Sequence, residues 1–168
     1  MAIVSSSAAG LRAASRASIV QLRAAALSTA ALENELNALV ASASIPILVS
    51  SRCDVAIACA AAGVNLPESD ISVADARKLV GRRLIGRSVH SVRNAQAAEN
   101  DGADYVIFGP VWESASHPGI APAGVAALAE VVGSVGIPVL AIGGVTEERV
   151  AEVLASGAAG YAAIRLFE

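Results

Sequence analysis

The sequence predicts an α/β chain folded as one (β/α)8 TIM barrel over residues 1–168, and three observations carry that expectation. Short apolar runs recur eight times along the chain. Amphipathic stretches with apolar residues at i, i+3 and i+4 lie between them, as alternating strands and helices require. Runs such as Tyr105-Val106-Ile107-Phe108 and Pro138-Val139-Leu140-Ala141-Ile142 are continuously apolar, the pattern of parallel strands buried on both faces.

The strands are expected, in order, at Ala2–Val4, Ser18–Arg23, Pro46–Ser51, Gly63–Leu66, Arg83–Val89, Tyr105–Val111, Pro138–Gly143 and Tyr161–Leu166. A first helix has room only at Ala8–Ala17. Ser28–Ser42 places Leu32, Leu36 and Leu39 on one face, and Ser72–Val80 does so with Val73, Ala76 and Leu79. Pro122–Val132 opens with proline at a first-turn position. Thr146–Ala155 has Thr146 as its N-cap, two acids in the first turn that favour the helix dipole, and Gly157 as the stop. Such barrels usually take about 200–250 residues, so the first β/α unit is short and no substantial helix follows Leu166. A doubly wound open sheet is the competing arrangement.

Composition narrows the function. Apolar residues make up 55% and charged residues 16%, with mean hydropathy +0.60, which excludes disorder. Aromatics are only 3%, so small alanine-rich helices must pack closely on a Val/Ile/Leu sheet. The most apolar segment, Val131 to Val145, holds several glycines and Pro138 and is shorter than the ~18 residues of a spanning helix. No membrane partner is expected. The start, Met1-Ala2-Ile3-Val4-Ser5, lacks a basic region followed by an apolar one, so no signal peptide is expected. Cys53 and Cys59 form no metal-ligand pattern and read as reduced core thiols, consistent with a cytoplasmic protein. The net charge is −3, and the eleven arginines and single Lys78 are scattered, without the basic stripe that nucleic acid would need.

In a parallel barrel the chemistry sits at the C-terminal ends of the strands and in the loops after them. Those positions hold Arg23, Ser50, Ser51, Arg52, Asn65, Ser88, His90, Gly109, Ser114, Ser116, His117, Gly143, Gly144 and Arg165. The set is rich in donors and poor in acids, which favours an anionic substrate. Gly143 and Gly144, between a strand end and a helix start, allow backbone N–H groups to approach a phosphate. With Arg165 ending the eighth strand they match the usual barrel phosphate site, although a plain tight turn also accounts for paired glycines. Alternation sets Ser88 and His90 on the same side of their strand. His90 is either a proton shuttle or a loop residue capping the next helix. Glu113 is the carboxylate of the sixth-strand loop, and Asp54 and Asp70 read as helix caps.

Together these residues resemble the thiamin phosphate synthase/TenI superfamily over roughly Ser18 to Phe167. The markers are Gln21-Leu22-Arg23, Arg52-Cys53-Asp54-Val55-Ala56, Gly86-Arg87-Ser88-Val89-His90-Ser91, the segment from Gly102 to Pro110, and Ile137 to Gly144. The resemblance implies a (β/α) barrel. It also implies a lysine at Ala25 and an Asn-Asp pair at Ser50-Ser51 in synthases, the aspartate binding magnesium, with Asp70 at the second ligand position. The segment Ile85 to Ser91 resembles instead the TenI branch of thiazole tautomerases, whose matching histidine is the catalytic acid/base. Asn65, His117 and Arg165 depart from the residues common in the family.

The expectation from the resemblance is therefore an isomerase that aromatises a carboxythiazole phosphate tautomer in thiamin (vitamin B1) biosynthesis. His90 would move the proton without metal or cofactor, and Ser88 would orient His90 or the substrate. Arg23, Ser51, Asn65, Ser88, Gly109, Ser114, Ser116 and His117 would bind the phosphorylated thiazole, with Gly143, Gly144 and Arg165 on its phosphate. A synthase-like transferase and a non-catalytic phosphate-ligand binder or regulator are the alternatives. The short ends leave an edge that a second copy could cover in a homo-oligomer.

Overall fold

The computed structural model describes residues 1–114, 119 and 121–167. Eight parallel strands run β1 (Ala2–Val4), β2 (Val20–Leu22), β3 (Ile47–Ser50), β4 (Gly63–Leu66), β5 (Leu84–Val89), β6 (Tyr105–Phe108), β7 (Val139–Ala141) and β8 (Gly160–Tyr161), each paired with the next in sequence. Between them lie α1 (Ser7–Ala13), α2 (Thr29–Ser42), α3 (Cys53–Ala58), α4 (Val73–Val80), α5 (Val92–Asn100), α6 (Gly124–Ser134) and α7 (Val150–Ala155). A bridge between Ala2 and Ala163 joins the two ends of the sheet. It is made by Ile3 N donating to Ala163 O at 2.9 Å and Ala163 N to Met1 O at 3.1 Å. The closed barrel is the expected architecture, and the open sheet is excluded. No helix among the described residues is long and apolar enough to cross a membrane.

Side-chain alternation divides the interior in two. Outward residues such as Leu22, Val64, Ile85, Val106 and Phe108 pack under the helices with Leu36, Leu39 and Leu128. Inward residues Ile3, Leu48, Tyr105, Ile107 and Ala162 fill the barrel itself. Tyr105 is the largest of these, and it fits because β5 offers no side chain opposite it. A Cβ at Gly86 would lie 2.0 Å from the Tyr105 ring. The phenol donates to Asn65 Oδ1 at 3.3 Å, and burial pushes its pKa up.

Several elements end elsewhere than the sequence predicts. β8 is two residues long, and Arg165–Phe167 form a 3-10 turn rather than its continuation. In α4 the buried face is Val73, Ala76 and Val80, while Leu79 is exposed. Pro122 precedes α6, whose first residue is Gly124. Neither Asp54 nor Asp70 caps a helix by its side chain. Asp54 is in the first turn of α3, held in a bidentate pair by Arg52 at 2.9 and 2.7 Å. Those bonds draw its carboxyl below the ordinary range. Asp70 accepts from Ile71 N, and α4 is capped by Ser72, whose hydroxyl accepts from Asp75 N at 3.0 Å. Ser72→Ala should therefore destabilise the protein by about 1 kcal/mol, lowering the thermal midpoint by roughly 2–4 °C. Differential scanning calorimetry reads this directly, and an Asp70→Ala variant should shift far less.

Candidate functional site

A cavity of about 900 Å³ opens at the C-terminal ends of the strands. Its floor is apolar, formed by Ile3, Ile107, Ile142 and Ile164. Above the floor lies a polar band from four consecutive strands. Gln21 on β2 donates through Nε2 to Ser50 Oγ on β3 at 2.6 Å. Asn65 on β4 donates through Nδ2 to Ser88 Oγ on β5 at 3.1 Å. Gln21 and Asn65 are each 3% exposed, and Gln21 Oε1 has no hydrogen-bond partner among the described residues. A buried, unpaired acceptor at the base of a cavity is a feature that a polar ligand would complete.

The rim carries cations. Arg23, just beyond β2, borders the cavity and has no side-chain partner among the described residues. Arg165 borders it from the turn after β8, and Arg149 from the turn after β7. Carboxylates on the wall are Glu68 and Glu113. Glu68 is placed by Arg87, whose outward guanidinium donates to the carbonyls of Glu68 and Ile71 at 2.7 and 2.8 Å and so fixes the loop after β4. Held there, Glu68 Oε2 contacts His90 Nδ1. His90 is thus an exposed rim residue tied to a carboxylate.

The loop after β7 is built to show its amides. Both glycines have positive φ, +91° at Gly143 and +67° at Gly144, conformations that favour glycine. Val111 N holds Ile142 O at 2.8 Å, and Trp112 N holds Gly143 O at 3.0 Å. In a trans peptide the carbonyl and the following N–H point oppositely, so the Gly143 and Gly144 N–H groups face away from that contact. They have no acceptor among the described residues. Neither has the Ile164 N–H on the neighbouring turn. Two such loops side by side form the customary barrel phosphate site.

Of the expected site residues, Arg23, Asn65, Ser88, His90, Gly109, Ser114, Gly143, Gly144 and Arg165 all border the cavity. Ser51 does not. It has φ +65° and turns off the strand, and Ser50, in register with inward Leu48, takes its place. Gly109 also serves packing, since a Cβ there would lie 2.2 Å from Ile142 O. Ser116 and His117 fall outside the described residues. Glu68 and Arg149 were not foreseen; their places are set by hydrogen bonds from loops, which leave no periodic trace in sequence. Cys53 and Cys59 are free and buried, and burial pushes both thiols up.

The expected magnesium position does not fit a metal. Ser51 stands off the cavity, Asp70 is not on its wall, and Asp54 is committed to Arg52. Among the described residues no group of three His, Cys, Asp or Glu side chains converges on one point.

Residues 5–167 match the family model described as thiamine monophosphate synthase (TMP-TENI). The thiamine-phosphate synthase of Chloroflexus aurantiacus is 38% identical over 152 residues, 88% of this chain and 70% of that protein. A putative thiamine-phosphate synthase 2 of Aquifex aeolicus is 36% identical over 136 residues, covering 81% and 73%. Thiamine phosphate pyrophosphorylase from Pyrococcus furiosus superposes with a TM-score of 0.88 at 30% identity, over 97% of this chain and 83% of that one. These findings overturn the isomerase expectation, because the similar proteins carry the synthase name. His90 does not cap α5, whose N-cap is Ser91; it borders the cavity with its Nδ1 against Glu68 Oε2.

Proposed function

The chain belongs to the thiamine monophosphate synthase/TenI family, and from that premise we propose that it is a synthase-like transferase joining a phosphorylated thiazole to a pyrimidine diphosphate. The observation that carries the reading is the pairing, in one cavity, of an amide loop for one anion with a separate guanidinium, unpaired among the described residues, for another. β1 and β8 lie between β2 and β7. At ~4.8 Å per strand spacing, Arg23 and the Gly143-Gly144 loop are on the order of 14 Å apart around the wall. Two substrates with separate phosphoryl groups fit that spacing better than one small phosphate ester.

In this reading the thiazole phosphate rests on the Gly143, Gly144 and Ile164 amides with Arg165 beside them. The heterocycles lie on the isoleucine floor, and Gln21, Ser50, Asn65 and Ser88 bond their polar edges. The thiazole nitrogen attacks the pyrimidine methylene carbon, forming a C–N bond as the C–O bond to diphosphate breaks. Both electrons of the broken bond leave on the diphosphate. No proton moves in this step, so His90 has no acid–base part in it. Arg23 stabilises the charge that grows on the departing diphosphate. No step is assigned to a metal, since the residues at its expected position do not suit one.

Mixing the two substrates and following thiamin phosphate by oxidation to fluorescent thiochrome tests this, with and without Mg²⁺. Arg23→Ala should lower kcat/KM about 10–100-fold, the range of one charge-assisted hydrogen bond. No product above buffer in either condition overturns the synthase reading. Tight thiazole phosphate binding without product would favour a non-catalytic binder, which Ala25 and Ser51 would then explain.

A further inference from the structure

Arg149 ends the 3-10 turn Glu147–Arg149 and is half-buried on the cavity wall. Its Nη1 donates to Gly144 O at 2.6 Å, and its guanidinium lies over the Trp112 ring, 5.0 Å from the centroid. Two restraints thus fix a planar cation, one on its face and one on an edge. Its remaining N–H groups have no acceptor among the described residues.

The clamp completes a series. Carbonyls Ile142, Gly143 and Gly144 are held by Val111 N, Trp112 N and Arg149 Nη1 respectively. Each grip orients the N–H of the same peptide plane in the opposite direction. The third grip therefore aims the N–H of Val145, which borders the cavity and has no acceptor among the described residues. Trp112 takes part twice, by its backbone N–H under Gly143 and by its ring under Arg149.

We propose that Arg149 is a positioning and specificity-determining residue of the phosphoryl site. By gripping Gly144 O it turns the Val145 N–H to the opposite side of that peptide plane, into the cavity beside the Gly143 and Gly144 amides. Oriented amides match a phosphomonoester dianion and give nothing comparable to a neutral alcohol, so Arg149 selects the phosphorylated over the dephosphorylated ligand through them. Trp112 is a positioning residue that keeps the guanidinium in plane. This inference rests on the loop after β7 being the phosphoryl site.

Trp112 is the single tryptophan of the chain, so its fluorescence reports on the clamp. Inorganic phosphate titrated into the whole protein should give a saturable change in that signal, with the affinity measured by calorimetry. Arg149→Gln should weaken phosphate at least tenfold, and Arg149→Lys should recover part of that loss. Binding of the unphosphorylated thiazole alcohol should be unchanged in both. Saturable binding by wild type with equal affinity in Arg149→Gln overturns the role of Arg149 and leaves the amide loop intact. No saturable binding by wild type overturns both. Equal losses for phosphate and alcohol would mark Arg149 as merely structural, and Arg149→Lys keeps the test open if the glutamine variant does not fold.

Discussion

Gly144→Ala is expected to lower kcat/KM for the phosphorylated thiazole by about 100-fold while leaving a folded protein. Two costs act together. The backbone at φ +67° disfavours any residue with a Cβ, by roughly 1–2 kcal/mol. The new methyl would also lie 2.5 Å from Glu113 O and 2.7 Å from Trp112 Cβ, and the first of these is backbone that cannot rotate aside. The loop must swing away from residues 112–113, and the oriented amides go with it. A displacement of about 1 Å at a positioning group commonly costs on the order of 100-fold. The thermal midpoint should fall by roughly 4–8 °C for about 2 kcal/mol. Gly157→Ala is the control, because that glycine also has positive φ, at +86°, yet stops α7 with only Val132 Cγ1 close by. It should cost stability alone. Steady-state rates on the phosphate and on its alcohol decide the matter, and equal losses on both would sink the phosphoryl assignment for the loop.

Strand alternation made the barrel legible, but it could not say where each strand turns away from the sheet. The tract Tyr161 to Leu166 is mostly apolar, yet hydrogen bonding leaves a two-residue strand, the Ala163 bridge and a 3-10 turn. Apolarity there reflects barrel filling by Ala162 and Ile164 rather than strand length. The Ser50-Ser51 pair shows the same limit at one residue. Register from inward Leu48 selects Ser50, whereas chemistry alone treats the two hydroxyls alike. Leu79 and Val80 both satisfy a helical period, and α4 buries Val80 while Leu79 stays exposed. Glu68 and Arg149 lay beyond sequence reading for another reason. Their positions depend on the bonds Arg87 makes to the 68–71 loop and on the Trp112 ring, contacts between segments distant in sequence. The isomerase expectation rested on one short histidine motif, whereas the similarity that overturned it extends over 88% of the chain.

Gln21→Leu should make the protein more stable and a poorer catalyst at once. In the wild type, Gln21 is 3% exposed and its Oε1 lacks a partner among the described residues. An unsatisfied buried acceptor costs about 1–3 kcal/mol. Leucine has nearly the same volume and would join the inward Ile3 and Leu48, removing that cost while Ser50 loses the 2.6 Å bond from Nε2. The net gain should be about 1 kcal/mol, read as a rise of roughly 2–4 °C in thermal midpoint. Catalysis should move the other way, with kcat/KM for coupling at least tenfold lower, because a heterocycle N–H or amino group would no longer find its acceptor. The opposite signs separate a ligand contact from a packing defect. A variant that is stabilised and fully active would show that Oε1 meets no substrate, and one that is destabilised would show that the carbonyl is already satisfied in the free protein. An acceptor left unpaired among the described residues, in a place where leucine would pack, breaks a local packing rule, and such breaks concentrate at functional sites.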